Sequence, residues 1–152
     1  MSESLIVQSN DEGFRDVEDF LEQTLGTYHI AHYAATITIP VLQAVQNAIK
    51  HGNSDDSGKK VRVEAGRCQG GVYFEVEDEG NGFDVGLQLS NIMNAGQGRG
   101  LLLITTLADR YAYSNGGRTL RMEFDIEGVF ANVAAERVSL LRRFYHHDVV
   151  EA

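Results

Sequence analysis

The residues best equipped for chemistry are one carboxylate at the end of an alternating stretch and two pairs of glycines that follow it. From Val72 to Asp78 the apolar residues Val72, Phe74 and Val76 share one parity with Asp78, while Tyr73, Glu75 and Glu77 share the other. Asp78 is therefore expected at the strand's end on the core side, where an unpaired charge is expensive. It either caps the following turn or holds a donor group of a ligand. Gly80 and Gly82, in Glu79-Gly80-Asn81-Gly82-Phe83-Asp84, let the backbone turn sharply and let a ligand approach without a Cβ in the way. Gly98-Arg99-Gly100 stands immediately before the apolar, helix-like run Leu101 to Leu107. Glycines opening a helix aim free N–H groups and the positive end of its dipole at one spot, which suits a phosphate. Either pair alone is unremarkable in a chain of 16 glycines. No Gly-Lys-Ser/Thr of a P-loop is present, and the spacing is not that of a dinucleotide fingerprint.

These groups need elements to hold them. Pro40 to Asn53, PVLQAVQNAIKHGN, reads as one helix with two opposed faces. Pro40 suits a first helical position and Gly52-Asn53 a stop. Leu42, Val45 and Ile49 form an apolar, core-seeking face. Gln43, Asn47, Lys50 and His51 recur at i, i+4, i+7 and i+8, which sets two amides, an ammonium and an imidazole on the opposite stripe. Around this helix, Ser4 to Gln8 reads as an edge strand and Asn10-Asp11-Glu12-Gly13 as a turn. Phe14 to Leu25 has helical spacing closed by Gly26. Thr27 to Thr38 shows no clear period, and its His29 and His32 lack a third metal ligand nearby. Ser54 to Lys60 is a polar loop, and Val61 to Ala65 pairs with Val72 to Asp78 through Gly66 to Gly71. Tyr111 to Ser114 and Thr119 to Ile126 are two further strands around Asn115-Gly116-Gly117. Phe130 to Val150 is helical, with Val133, Val138, Leu141, Phe144 and Tyr145 as its apolar positions, and suits packing on the parent domain or a homodimer contact.

Composition narrows the function class. A chain of 152 residues fits one domain with a real core. The single cysteine, Cys68, excludes an internal disulfide framework and has no CxxC partner, so a cytoplasmic setting is expected. No apolar run approaches the length of a membrane span, and MSESLIVQSNDEG lacks a secretory pattern. A formal charge of −9 argues against a nucleic-acid partner. It leaves room for a basic protein partner, or for a nucleotide held locally by backbone N–H groups and Mg²⁺.

In this order, QAVQNAIKHG, DEGNGF, GRGLLLI and Gly117-Arg118-Thr119 before a last strand resemble the GHKL superfamily of histidine kinase-like ATPases. Within it the chain is most similar to the bacterial anti-sigma factor serine/threonine kinases, the RsbW-like branch. The resemblance spans about residues 5 to 126, without a phosphoacceptor-histidine domain and with a short lid between the glycine motifs. It implies an α/β (α+β) two-layer sandwich, a mixed, mainly antiparallel sheet with helices on one face. Residues 1–126 form the ATP-binding domain and 127–152 an added C-terminal helical extension. ATP or ADP with Mg²⁺ is the implied ligand. Asn47 is implied as the Mg²⁺ ligand, and a single neutral amide oxygen suits an ion that keeps its waters and takes its other ligands from phosphate. Asp78 would accept from the exocyclic amine of adenine, and Gly80 and Gly82 would pack against base and ribose. Gly98, Arg99, Gly100 and Leu101 would offer N–H groups to the phosphates, Lys50 would add charge there, and Thr119 would reach the adenine–Asp78 region.

One position departs from the branch. Four residues before the asparagine the branch has a glutamate that acts as base or orients the attacking hydroxyl; here it is Gln43. An amide cannot take the proton, which removes the roughly 10²–10⁴-fold that positioned acid–base catalysis supplies. Phosphoryl transfer rests largely on positioning and charge neutralisation, so some transfer survives such a loss. Glu79 has the wrong parity to replace the base. The expected function is an ATP-binding anti-sigma regulator, with kinase activity toward an anti-anti-sigma protein and with a sigma factor as its other partner. The alternatives are a nucleotide-dependent binding switch without catalysis and a histidine-kinase-type catalytic domain.

Overall fold

The computed structural model describes residues 2–82, 99–126 and 137–143. Its frame is one sheet of five strands: β1 (Ser2–Gln8), β2 (Lys60–Cys68), β3 (Gly71–Glu77), β4 (Arg110–Ser114) and β5 (Thr119–Asp125). The order across the sheet is β1-β2-β3-β5-β4, and every pairing is antiparallel. Alternation decides the faces. Val61, Val63 and Ala65 of β2, Val72, Phe74 and Val76 of β3, and Leu120, Met122 and Phe124 of β5 are buried. Their neighbours on the other parity are Arg62, Glu64, Glu75, Glu77, Arg121 and Glu123, which form ion pairs across the opposite face. The fold is thus the two-layer sandwich expected, with the described helices on the apolar side of the sheet.

α1 (Asp11–Thr27) begins earlier than its apolar spacing suggests. Asn10, read from sequence as part of a turn, is its N-cap, and its side-chain oxygen accepts from the Gly13 N–H at 2.8 Å. Asp11 and Glu12 then sit in the first turn, where the dipole favours acids. Gly26 lies inside this helix and not after it.

The organising helix α2 runs Ala34–Asn47, so Pro40 lies inside it and not at its start. The reason is that the apolar stripe continues upstream of the proline. Ile37, Val41, Ala44 and Val45 are all buried, and that burial carries the helix through a residue that costs about 3 kcal/mol in a helix interior. The core face is accordingly rotated from the one expected, and Leu42 is only partly buried. After Asn47 the helix widens into one π turn, Ala48–Gly52, closed by the Asn53 N–H on the Ala48 carbonyl at 2.8 Å. α3 (Arg99–Leu107) packs beside α2.

Of the C-terminal extension, 137–143 is helical and the flanking stretches lie outside the described residues, as do Val133, Phe144 and Tyr145. Val138 and Leu141 pack on Leu107 of α3, with Ile39 of α2 alongside. Arg137 reaches Asp109 at 2.8 Å, whose other oxygen accepts from the Asp125 N–H.

The end of α2 is tied to the sheet by one side chain. Asn53 is fully buried, and its Nδ2 donates to Ser9 Oγ and to the Lys60 carbonyl, both at 2.9 Å. Its Oδ1 accepts from the Glu79 N–H at 2.8 Å. The ends of β1 and β3 and the start of β2 are thereby fixed to the helix that faces the site. Asn53→Ala removes three hydrogen bonds made by a fully buried side chain and should destabilise the fold by about 3 kcal/mol, read as a lower urea midpoint at unchanged m-value.

Candidate functional site

Asp78 follows β3 and is half-buried on the helix side of the sheet, as its parity requires. Its Oδ1 accepts from the Gly80 N–H at 2.8 Å, and its own N–H donates to the Arg118 carbonyl at 3.0 Å. One oxygen therefore caps the turn. The other, Oδ2, lies against Gly52, where a Cβ would stand only 2.3 Å from it. A Cβ on Gly80 would in turn stand 2.0 Å from the Gly52 carbonyl oxygen. The π turn and the Glu79-Gly80 turn thus touch backbone to backbone, and only two glycines allow it. Burial pushes the Asp78 carboxyl above its ordinary range, against the downward pull of the Gly80 N–H, Arg118 and Lys59.

Gly82 has φ +75°, and a Cβ there would meet the Gly116 carbonyl oxygen at 2.3 Å, so the turn before β5 closes this side of the site. A left-handed backbone and a close approach both demand glycine at this position.

Asn47 is half-buried at the last α-helical position before the π turn, and Gln43, one turn earlier, donates from Nε2 to Asn47 Oδ1 at 3.2 Å. Lys50 goes elsewhere. It is exposed and lines a groove of about 290 Å³ with Asn10 and Phe14 toward α1 and with Gln46 beside it. Arg99, Gly100 and Leu101 form the first turn of α3, whose leading N–H groups have no carbonyl within the helix to bond. Gly98 lies outside the described residues.

Thr119 is buried but on the other face of the sheet. It pairs in register with Glu77, donates from Oγ1 to Glu77 Oε2 at 3.0 Å, and accepts from Asn115 Nδ2 at 2.9 Å. The residue that meets Asp78 is Arg118, immediately before β5, through its backbone carbonyl and through charge. Sequence reasoning passed over Arg118, although the parity of Leu120 and Met122 carries back to it. It also read Gly52 and Asn53 only as a helix stop. The signal for Gly52 was the absence of any side chain opposite an inward carboxylate, and for Asn53 none was legible.

A helix-covered antiparallel sheet, a carboxylate cradled by glycines and an asparagine one helix turn away define a nucleotide-binding sandwich. The chain belongs to the histidine kinase-like ATPase domain family, whose model matches residues 8–124, and with it to the GHKL superfamily. Binding of adenine nucleotide, typically with Mg²⁺, goes with that family. No curated protein matches the chain. The residues fit such a ligand: Asp78 Oδ2 is an acceptor backed by bare backbone, and Asn47 Oδ1 is a neutral oxygen of the kind Mg²⁺ accepts. Among the described residues no helix is long and apolar enough to cross a membrane, and no three His, Cys, Asp or Glu side chains cluster as a metal site.

Function and stability should therefore oppose each other at Asp78. Its raised native pKa means that the carboxyl supports the fold below the ordinary carboxylate range and that this support is lost as pH rises through the native value. Asp78→Asn should weaken ATP binding while leaving the protein at least as stable as native near pH 7. That stability advantage should shrink as the pH is lowered toward about 4, the ordinary carboxylate range. Urea unfolding at both pH values, with calorimetric titration of ATP, checks both halves.

Proposed function

We propose that this protein is an ATP-binding anti-sigma regulatory factor whose capacity to phosphorylate a serine or threonine of an anti-anti-sigma partner is limited by the amide at position 43. The observation that carries the nucleotide half is the placement of the Asp78 carboxylate, with Oδ1 held by the Gly80 N–H and Oδ2 against Gly52, an acceptor in a cradle that a single Cβ would fill. An exocyclic amine satisfies that acceptor, whereas the carbonyl of guanine would set oxygen against oxygen. Asn47 would hold Mg²⁺, which supplies charge neutralisation of the phosphates when bound. The first turn of α3 would receive phosphate oxygens. The anti-sigma half is supported by the order and spacing of QAVQNAIKHG, DEGNGF and GRGLLLI and by the short stretch between Gly82 and Gly98. The charge of −9 favours a basic protein surface as the docking partner over nucleic acid.

A second reading, a nucleotide-dependent switch that transfers nothing, is favoured by one contact. The group that Gln43 turns toward Asn47 is a donor, so the side chain in the base position is engaged as a hydrogen-bond donor and has no proton-accepting role.

One measurement tests the nucleotide assignment that both readings share, and a second separates them. Calorimetry should give tighter binding of Mg-ATP than of Mg-GTP, and equal affinities would dispose of the adenine assignment. In single-turnover assays with labelled ATP and a serine-containing antagonist, the native protein should transfer slowly. Gln43→Glu should raise the rate by no more than about 10²–10⁴-fold. Fast native transfer that the glutamate does not improve would mean that no base is needed at this position.

A further inference from the structure

Gln43 is more than a base that was lost. Its Nε2 lies 3.2 Å from Oδ1 of Asn47, four residues on, at the separation where helix side chains face each other. Both side chains are half-buried, and Asn47 is the last residue before the helix widens. We propose that Gln43 is a positioning residue for the cation end of the nucleotide site, setting which atom of the Asn47 carboxamide is offered to Mg²⁺. The inference rests on the nucleotide-binding reading above and deepens it.

The physics is that of a carboxamide with two unlike ends. Oδ1 has two lone pairs and Nδ2 carries two protons, and rotation by half a turn exchanges them. A cation needs the oxygen. The Gln43 amine occupies one lone pair of that oxygen and leaves the second open. With the Gln43 amine facing it, the exchanged state would set Nδ2 against Nε2, donor against donor, and would turn protons toward Gln43 without a receiver. With its amine on this side, Gln43 therefore favours the state that keeps Oδ1 in place before any ligand arrives. An ionised glutamate at 43 has no proton to give, and the same side chain of Asn47 would then turn Nδ2 toward it.

The variant that isolates the role is Gln43→Met, similar in length, favourable in a helix and without a donor. An i, i+4 amide pair contributes little to helix stability, so the variant should unfold at nearly the native urea concentration. The quantity to measure is the Mg²⁺ increment, the ratio of ATP affinity with Mg²⁺ to that in EDTA. Loss of one net hydrogen bond should reduce the increment by about 2- to 10-fold, leaving affinity in EDTA unchanged. Asn47→Ala should abolish the increment, and adding Gln43→Met to it should change nothing further, because one residue acts through the other. In the nucleotide-free protein, the ¹⁵N side-chain amide signals of Asn47 should shift in Gln43→Met, which reports the contact without any ligand. An unchanged increment in Gln43→Met, or an additive loss in the double variant, would overturn the proposal while leaving nucleotide binding intact. Failure of the native protein to bind ATP at all would overturn the underlying reading, and the proposal with it.

Discussion

Asn53 is the side chain on which the rest of the architecture depends. A carboxamide has two donors and one acceptor oxygen, and here it spends all of them on three different segments: Ser9 after β1, Lys60 at the start of β2 and Glu79 after β3. Because Asn53 is fully buried, water offers none of these groups an alternative. The contacts lie at one end of the sheet, the end at which Asp78, Gly80 and Gly82 emerge. A covalent chain alone would leave the 54–59 loop free to set the distance between helix and sheet. The buried amide removes that freedom, and the narrow meeting of Gly52 with Asp78 and Gly80 follows from it.

The two faces of the sheet divide the labour. The helix-side face holds the apolar core, including the Phe74–Phe124 edge-to-face pair. The open face is a lattice of short-range charge compensation, in which Arg62 meets Glu64, Glu75 and Glu77, and Arg121 meets Glu75 and Glu123. Partly exposed pairs of this kind add little stability each. Their effect is to set a guanidinium beside each of the four glutamates, so that two arginines offset part of the negative charge on this face. Thr119, Asn115 and Glu77 belong to this lattice, which explains in physical terms why Thr119 sits away from the carboxylate it was expected to approach.

Much of the frame was legible in the sequence because period 2 and period 3.6 are written directly into residue order. The strand parity of Val72, Phe74 and Val76 placed Asp78 on the helix side, and the apolar positions of Phe14 to Leu25 located α1. Readings that rested on single punctuating residues fared worse. Pro40 suggests a helix start and Asn10 a turn, but tertiary burial of Ile37 and Val41 overrides the first, and the second is a helix cap. The contacts of Asn53 and of Gly52 join segments 7 to 44 positions apart, and no local pattern encodes them. The Gln43–Asn47 bond lay within reach, since both names and the spacing were known. What spacing could not give was which atom faces which.

The π turn from Ala48 to Gly52 makes the site a matter of counting as much as of chemistry. An α-helical path advances by about 100° per residue, so one further residue between Asn47 and Asn53, or the same residues run on as regular helix, would swing Gly52 and Asn53 away from β3. Every side chain named in the site could then be present, in an intact helix, with no cradle formed. Length at this point carries information that no comparison of residue types reveals. Related chains that keep Gln43, Asn47 and Asp78 but gain one residue here would be read as equivalents from their motifs, and their helix ends would meet the sheet in a different orientation. The polar stretch at 54–59, immediately beyond the buried asparagine, is where the same change in length is absorbed without rotating anything.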